Sequence, residues 1–244
     1  MMPWTVLSIA RCLGVMTLLI GLVLRFIFPA ELAWTYPGVK TPIIAFEFAQ
    51  TPTEVFHLFG DGIDLRDALV RAMDWGNYVD FIFMAVYVSF LAVLLWLHKP
   101  LLAGLTYWCL GLAVIILATD FIENIALLNL THLVNVGYTG ASKLQGWLHV
   151  LIISTWFKWM TIVVVITVLG LACRFIHWSG WLILCLGWVG LLLGGWNILY
   201  RDSLELFASV VFLSFIILVF YIFTASTHHQ HNSFKAKKRV LTKI

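Results

Sequence analysis

An all-α, polytopic membrane protein is the fold class this sequence predicts, on three observations. Of its 244 residues 62% are hydrophobic and only 11% charged, and the mean hydropathy is +0.98, a composition foreign to soluble domains. Apolar runs of roughly 18 residues or more recur, each long enough to cross a hydrocarbon core as a helix. The runs do not alternate apolar with polar, as strands of a membrane barrel would. A backbone in lipid must satisfy its own hydrogen bonds, so these runs are helices.

About six transmembrane helices are expected, at 4–28, 77–98, 101–126, 147–173, 179–199 and 204–224. The first has no basic residue before Arg11 and no small-residue cleavage site after Arg25, so it reads as a span and not a secretory leader. A structured outer segment, 29–76, separates it from the second. There KTPIIAFEFAQTPTEVFHLFG begins extended, and Thr51, Pro52 and Glu54 form a T-x-x-E capping box that starts a short helix. Gly60 and Gly62 break that helix, and Asp64 can cap a second, LRDALVRAMDWG, with Leu65, Leu69, Ala72 and Met73 on one apolar side. The segment reads as a connector, with a lid over the polar residues below as the sharper alternative.

The third span ends at 126, or near Thr119 if the acids that follow lie at the interface. In the fourth, Lys158 sits roughly 16 Å from the outer end at ~1.5 Å per residue. Gly187, Gly190 and Gly194 share a face of the fifth, which suits close helix packing. Trp181, Trp188 and Trp196 recur there at near-heptad spacing and read as bulk against neighbouring helices. The sixth, FASVVFLSFIILVFYIF, has almost no polar group to bury.

Orientation follows from the cations. Lys235, Lys237, Lys238, Arg239 and Lys243 form the densest basic cluster, and basic flanks stay cytoplasmic. Both termini then lie inside, with Lys99 and Arg174 in inner loops, while 29–76, 131–146 and the Arg201-Asp202 turn face outward. All twelve acids fall in outward segments or at outward ends of spans, which agrees with this map. Residues 1–224 form one membrane domain and 225–244 a basic cytoplasmic tail, in a bacterial-type inner membrane. The tail's charge suits anionic headgroups and implies no nucleic acid.

The candidate site is the set of charges that this oily chain retains. In ATDFIENIALL, Asp120, Glu123 and Asn124 lie on one helical face, continued backward by the small Ala113, Cys109 and Thr106. Asn77, Asp80, Tyr87 and His98 share a face of span two, and Lys158 of span four and Arg25 of span one can reach the same level. Ionisable groups in a bilayer are turned inward and paired. Asp80, Asp120, Glu123, Asn124, Lys158, Arg25 and Tyr87 are therefore the ligand- or ion-binding candidates. The plainer alternative is a register of buried ion pairs that sets helix order.

No metal site is expected. Cys12, Cys109, Cys173 and Cys185 lack metal-ligand or redox spacing, and the HHQH at 228–231 reads as juxtamembrane tail. His98 and His177 lie at inner ends of different spans, and no cofactor is indicated. Three functions are compatible with these residues. The first is a protein whose outer charge cluster binds or moves a small polar or lipidic ligand. The second is an accessory or assembly subunit with an architectural cluster. The third is a membrane enzyme acting on lipid, for which only His57 and His132 would supplement the carboxylates. The partners implied are membrane lipids, other membrane subunits or a second copy of the chain.

Overall fold

The first apolar run folds as α1 (Trp4–Ile27), close to its expected limits. The connector does not begin extended. Thr41 has extended dihedrals, but Pro42 at the first helical position starts α2 (Pro42–Glu47) at once, because its fixed φ suits a helix start and its missing N–H costs nothing there. The capping box forms as the spacing predicts. In α3 (Pro52–Phe59) the Thr51 side chain accepts from Glu54 N at 3.1 Å, while Glu54 reaches one residue further back, to Gln50 N at 2.7 Å.

The expected second connector helix and span two are one continuous element, α4 (Ile63–Leu97), whose cap is Gly62, with Asp64 in the first turn. Gly76 does not break it. A Cβ there would lie 2.2 Å from the Phe28 ring, so this glycine serves close approach to the end of α1. A short α5 (Lys99–Leu102) leads into α6 (Leu105–Asn135), then α7 (Ala141–Cys173), α8 (Ser179–Tyr200) and α9 (Leu204–Leu241). The protein is described here from a computed structural model, which covers residues 4–60, 62–137 and 141–241, with 4, 141 and 225–241 as backbone alone. Among these residues six helices are long and apolar enough to cross a membrane, and the chain is an all-α, polytopic membrane protein.

Neighbours in sequence are neighbours in space. The helices contact one another in the order α1, α4, α6, α7, α8, α9, and α9 returns to α1, so the spans form a closed ring. Short connections make adjacent helices antiparallel. The glycine face of α8 packs on α7 as expected: Cβ atoms at Gly187, Gly190 and Gly194 would fall 2.5 Å from Thr167 Oγ1, 2.9 Å from Val163 Cγ1 and 2.5 Å from Met160 Sδ. Trp181, Trp188 and Trp196 differ from expectation. They are about half exposed on the outside of the ring, because the glycine side takes the interior.

Helix lengths position the site. α1 and α8 have 24 and 22 residues, whereas α4, α6 and α7 have 35, 31 and 33. The three long helices overhang at the end where 29–60 folds (the loop end), and α2 and α3 pack into that overhang against α6 and α7. Latches hold the segment there. Arg201, left-handed at φ 54°, donates to Phe48 O at 3.0 Å and bidentately to Glu54 at 2.9 and 3.2 Å. Glu205 accepts from the Lys40 and Thr41 amides at 3.1 and 3.2 Å, and from the Thr41 hydroxyl.

Candidate functional site

Asp80 and Asp120 stand at the midpoints of α4 and α6, and Lys158 is one residue past that of α7. Met160 packs beside Gly194, within the last two turns of α8, so Lys158 lies about one turn inside the level where α8 ends, nearer the loop end than mid-bundle. α6 continues past Thr119 to Asn135 and carries Asp120, Glu123 and Asn124 in its buried middle. The small residues Thr106, Cys109 and Ala113 are buried on the same face, as the helical spacing predicts.

An ammonium has three donors, and three carboxylates surround this one. Lys158 Nζ donates to Glu123 Oε1 and lies 3.4 Å from Asp120 Oδ1 and 3.5 Å from Glu47 Oε1. Lys158 is 6% exposed, Asp120 2% and Glu123 0%. Tyr87 donates to Asp120 Oδ2 at 2.6 Å, and Asn124 Nδ2 to Asp80 Oδ2 at 2.7 Å. Arg25 is exposed at the loop end of α1 and has no ion-pair partner among the described residues, so it is not drawn into the pairing around Lys158.

Glu47 is the member that sequence reasoning missed. It comes from α2, accepts from Trp159 Nε1 at 3.0 Å through Oε2, and receives Thr155 Oγ1 at 3.3 Å on its backbone carbonyl. The signal was present: in PIIAFEF one acid sits among apolar residues alone. An extended reading of that stretch hid the helix that turns Glu47 toward α7. Among the described residues the histidines stay apart from the carboxylates around Lys158. His57 and His132 are exposed, while His98 is buried at the opposite end, its Nε2 2.8 Å from Tyr221 Oη. Among the described residues no group of three or more His, Cys, Asp and Glu is arranged to hold a metal ion.

Beside the ion pairs lies a cavity of about 560 Å³. Its walls are largely apolar, from Leu22 and Leu24 of α1, Phe28 just beyond its end, Phe83 of α4, and Phe212 and Phe215 of α9. Ile43 and Ile44 of α2 line it as well. Asp80, Tyr87, Asp120, Lys158 and Glu47 form its polar side, with Arg25 and Glu205 at the margin. Glu123 Oε2 is buried without a hydrogen-bond partner, and Asp120 Oδ1 accepts no hydrogen bond but has Lys158 Nζ at 3.4 Å.

Outside the spans, two groups show the electrostatics of the latch. Burial alone would push the Glu54 carboxyl up, but Arg201 and the Gln50 and Thr51 amides outweigh it and hold Glu54 below the usual carboxylate range. Burial pushes the Tyr36 hydroxyl well up, with the nearby Arg201 acting against it. Its proton is donated to Ala45 O, tying the loop to α2. Compared with protein families, curated proteins and solved structures, the chain matches none.

Proposed function

We propose that this chain binds a small polar or lipidic ligand in the cavity beside Lys158, in a bacterial-type inner membrane with both termini cytoplasmic. The supporting observation is that a charged side and an apolar wall border one open-sided space of about 560 Å³, within the ~300–1,000 Å³ typical of ligand pockets. A register of ion pairs needs contact between helices but no room beside it. Asp120, which lines the cavity and whose Oδ1 accepts no hydrogen bond, favours the same reading, since buried acceptors are costly unless hydrogen-bonded.

The test fills the space without touching a charge. A Cβ at Gly21 would meet Phe83 at an ordinary 3.6 Å, so Gly21→Leu is tolerable on α1 and projects into the cavity. Small molecules retained by the wild type through purification, identified by mass spectrometry, should be lost from this variant while its melting temperature holds. Equal retention by both proteins would overturn the proposal.

The accessory-subunit reading keeps one specific support, the outward aromatic side of α8, where Trp181, Trp188 and Trp196 are each about half exposed. Recovery of a defined partner in mild detergent, lost on Trp188→Ala, would favour it.

A further inference from the structure

We infer that the ligand is an amphiphile with an ammonium head and a single alkyl chain, a reading that rests on the ligand-binding function proposed above. The cavity borders four carboxylates, Glu47, Asp80, Asp120 and Glu205, against two cations, Arg25 and Lys158. Lys158 is already surrounded by acids, with Glu123 as its hydrogen-bond acceptor. Glu205 is engaged by the Lys40 and Thr41 amides. An anionic head reaching the polar side would meet Asp80 and Asp120 with Lys158 already held by Glu123, Asp120 and Glu47, and like charges repel strongly where water is scarce.

A cationic donor meets the opposite situation. Asp120 is 2% exposed and lines the cavity, and its Oδ1 accepts no hydrogen bond, its contact there being the ion pair with Lys158 at 3.4 Å; an ammonium supplies three donors and no acceptor. Asp80 stands beside it, with Asn124 as its hydrogen-bond donor and no ion pair among the described residues. A hydrated ion or a short amine would leave the rest of the space unused, because the walls beyond the acids are aliphatic and aromatic. Apolar walls take an alkyl chain from water, and acids at one end fix its head.

The test compares four probes on the full chain in a neutral maltoside detergent, by isothermal titration: decylammonium, decanoate, decanol and propylammonium. Saturable decylammonium binding at least tenfold tighter than the other three is expected. Asp120→Asn should weaken decylammonium about tenfold and leave decanol unchanged. If that variant fails to fold, Asp80→Asn takes its place, and the wild-type ranking decides by itself. Tightest binding by decanoate, weakened by Arg25→Gln, would overturn the head assignment and leave the ligand-binding reading intact. Equal binding of propylammonium and decylammonium would overturn the chain. Saturation by none of the four, together with unchanged retention in Gly21→Leu, would remove both readings at once.

Discussion

Trp159 Nε1 donates a hydrogen bond to Glu47 Oε2 at 3.0 Å, while the other oxygen of that carboxylate lies 3.5 Å from the neighbouring Lys158 Nζ. Adjacent residues on α7 thus hold both oxygens of one acid delivered by a six-residue helix. The loop segment is thereby part of the charge cluster and not only a cover over it. Trp159→Phe keeps the ring's bulk and removes the donor. It should destabilise by about 1 kcal/mol, and partial proteolysis should then cut near residues 40–50 sooner. Unchanged cleavage would mean that the segment is held by its other latches alone.

Lys158 and Glu123 should be energetically coupled. Removing one member of a buried pair leaves an uncompensated charge, which costs roughly 3–5 kcal/mol, whereas removing both costs much less. Lys158→Met and Glu123→Gln should each lower the melting temperature more than the double variant does. Additive losses would show that the two groups do not interact. A stable double variant that no longer retains ligand would place the pair in binding, and one that retains it would make the pair architectural.

The Glu54–Arg201 latch should make stability depend on pH in a defined direction. Glu54 titrates below its unfolded value, so its contribution is fully present above the unfolded carboxylate range near pH 4.5 and is lost as pH falls through the lower folded value. Both side chains are partly exposed, at 23% and 18%, so the effect is about 1 kcal/mol. Glu54→Gln should lower stability at pH 7 and flatten the melting profile between pH 5 and pH 3. A variant whose profile parallels the wild type through that window would remove Glu54 as the cause.

Glycines of the α7–α8 contact should rank by what a side chain would meet. A Cβ at Gly170 would lie 2.5 Å from Leu184 N, a backbone atom, while one at Gly190 would lie 2.9 Å from a Val163 methyl. Gly170→Ala should therefore cost about 3 kcal/mol and Gly190→Ala about 1 kcal/mol. Leu192→Ala, at a residue 72% exposed, should change the melting temperature little in detergent. A reversed order would mean that α8 shifts to accommodate the added atoms.

Sidedness is open to labelling. Lys40 is exposed in the loop segment and Leu101 is half exposed in α5 at the opposite end. With the exposed Cys12 and Cys185 replaced by serine, Lys40→Cys should react with an impermeant thiol reagent in intact cells. Leu101→Cys should react only after permeabilisation. The opposite pattern would invert the orientation that the basic tail implies.

Span number, and the inward turn of Asp120, Glu123 and Asn124, were legible because hydropathy and helical periodicity are local properties of the chain. Helix ends were less legible. The run LRDALVRAMDWG joins GNYVDFIFM without a break in α4, and Gly76 looks like a stop until the Phe28 ring is seen against it. A glycine signals both a turn and a close approach, and only the packed neighbour tells the two apart.

The sequence by itself determined that the chain is a helical membrane protein and that its few buried charges must find one another, since an apolar solvent leaves a lone ionised group no other way to be compensated. Tertiary structure alone decided who meets whom. Closure of the ring by α9 on α1 left the space beside Asp120, the overhang of α4, α6 and α7 set the level of Lys158, and α2 in that overhang delivered Glu47. Each of these depends on the relative height of helices far apart in the chain. Height is fixed by side-chain packing between elements, which no periodicity within one element records.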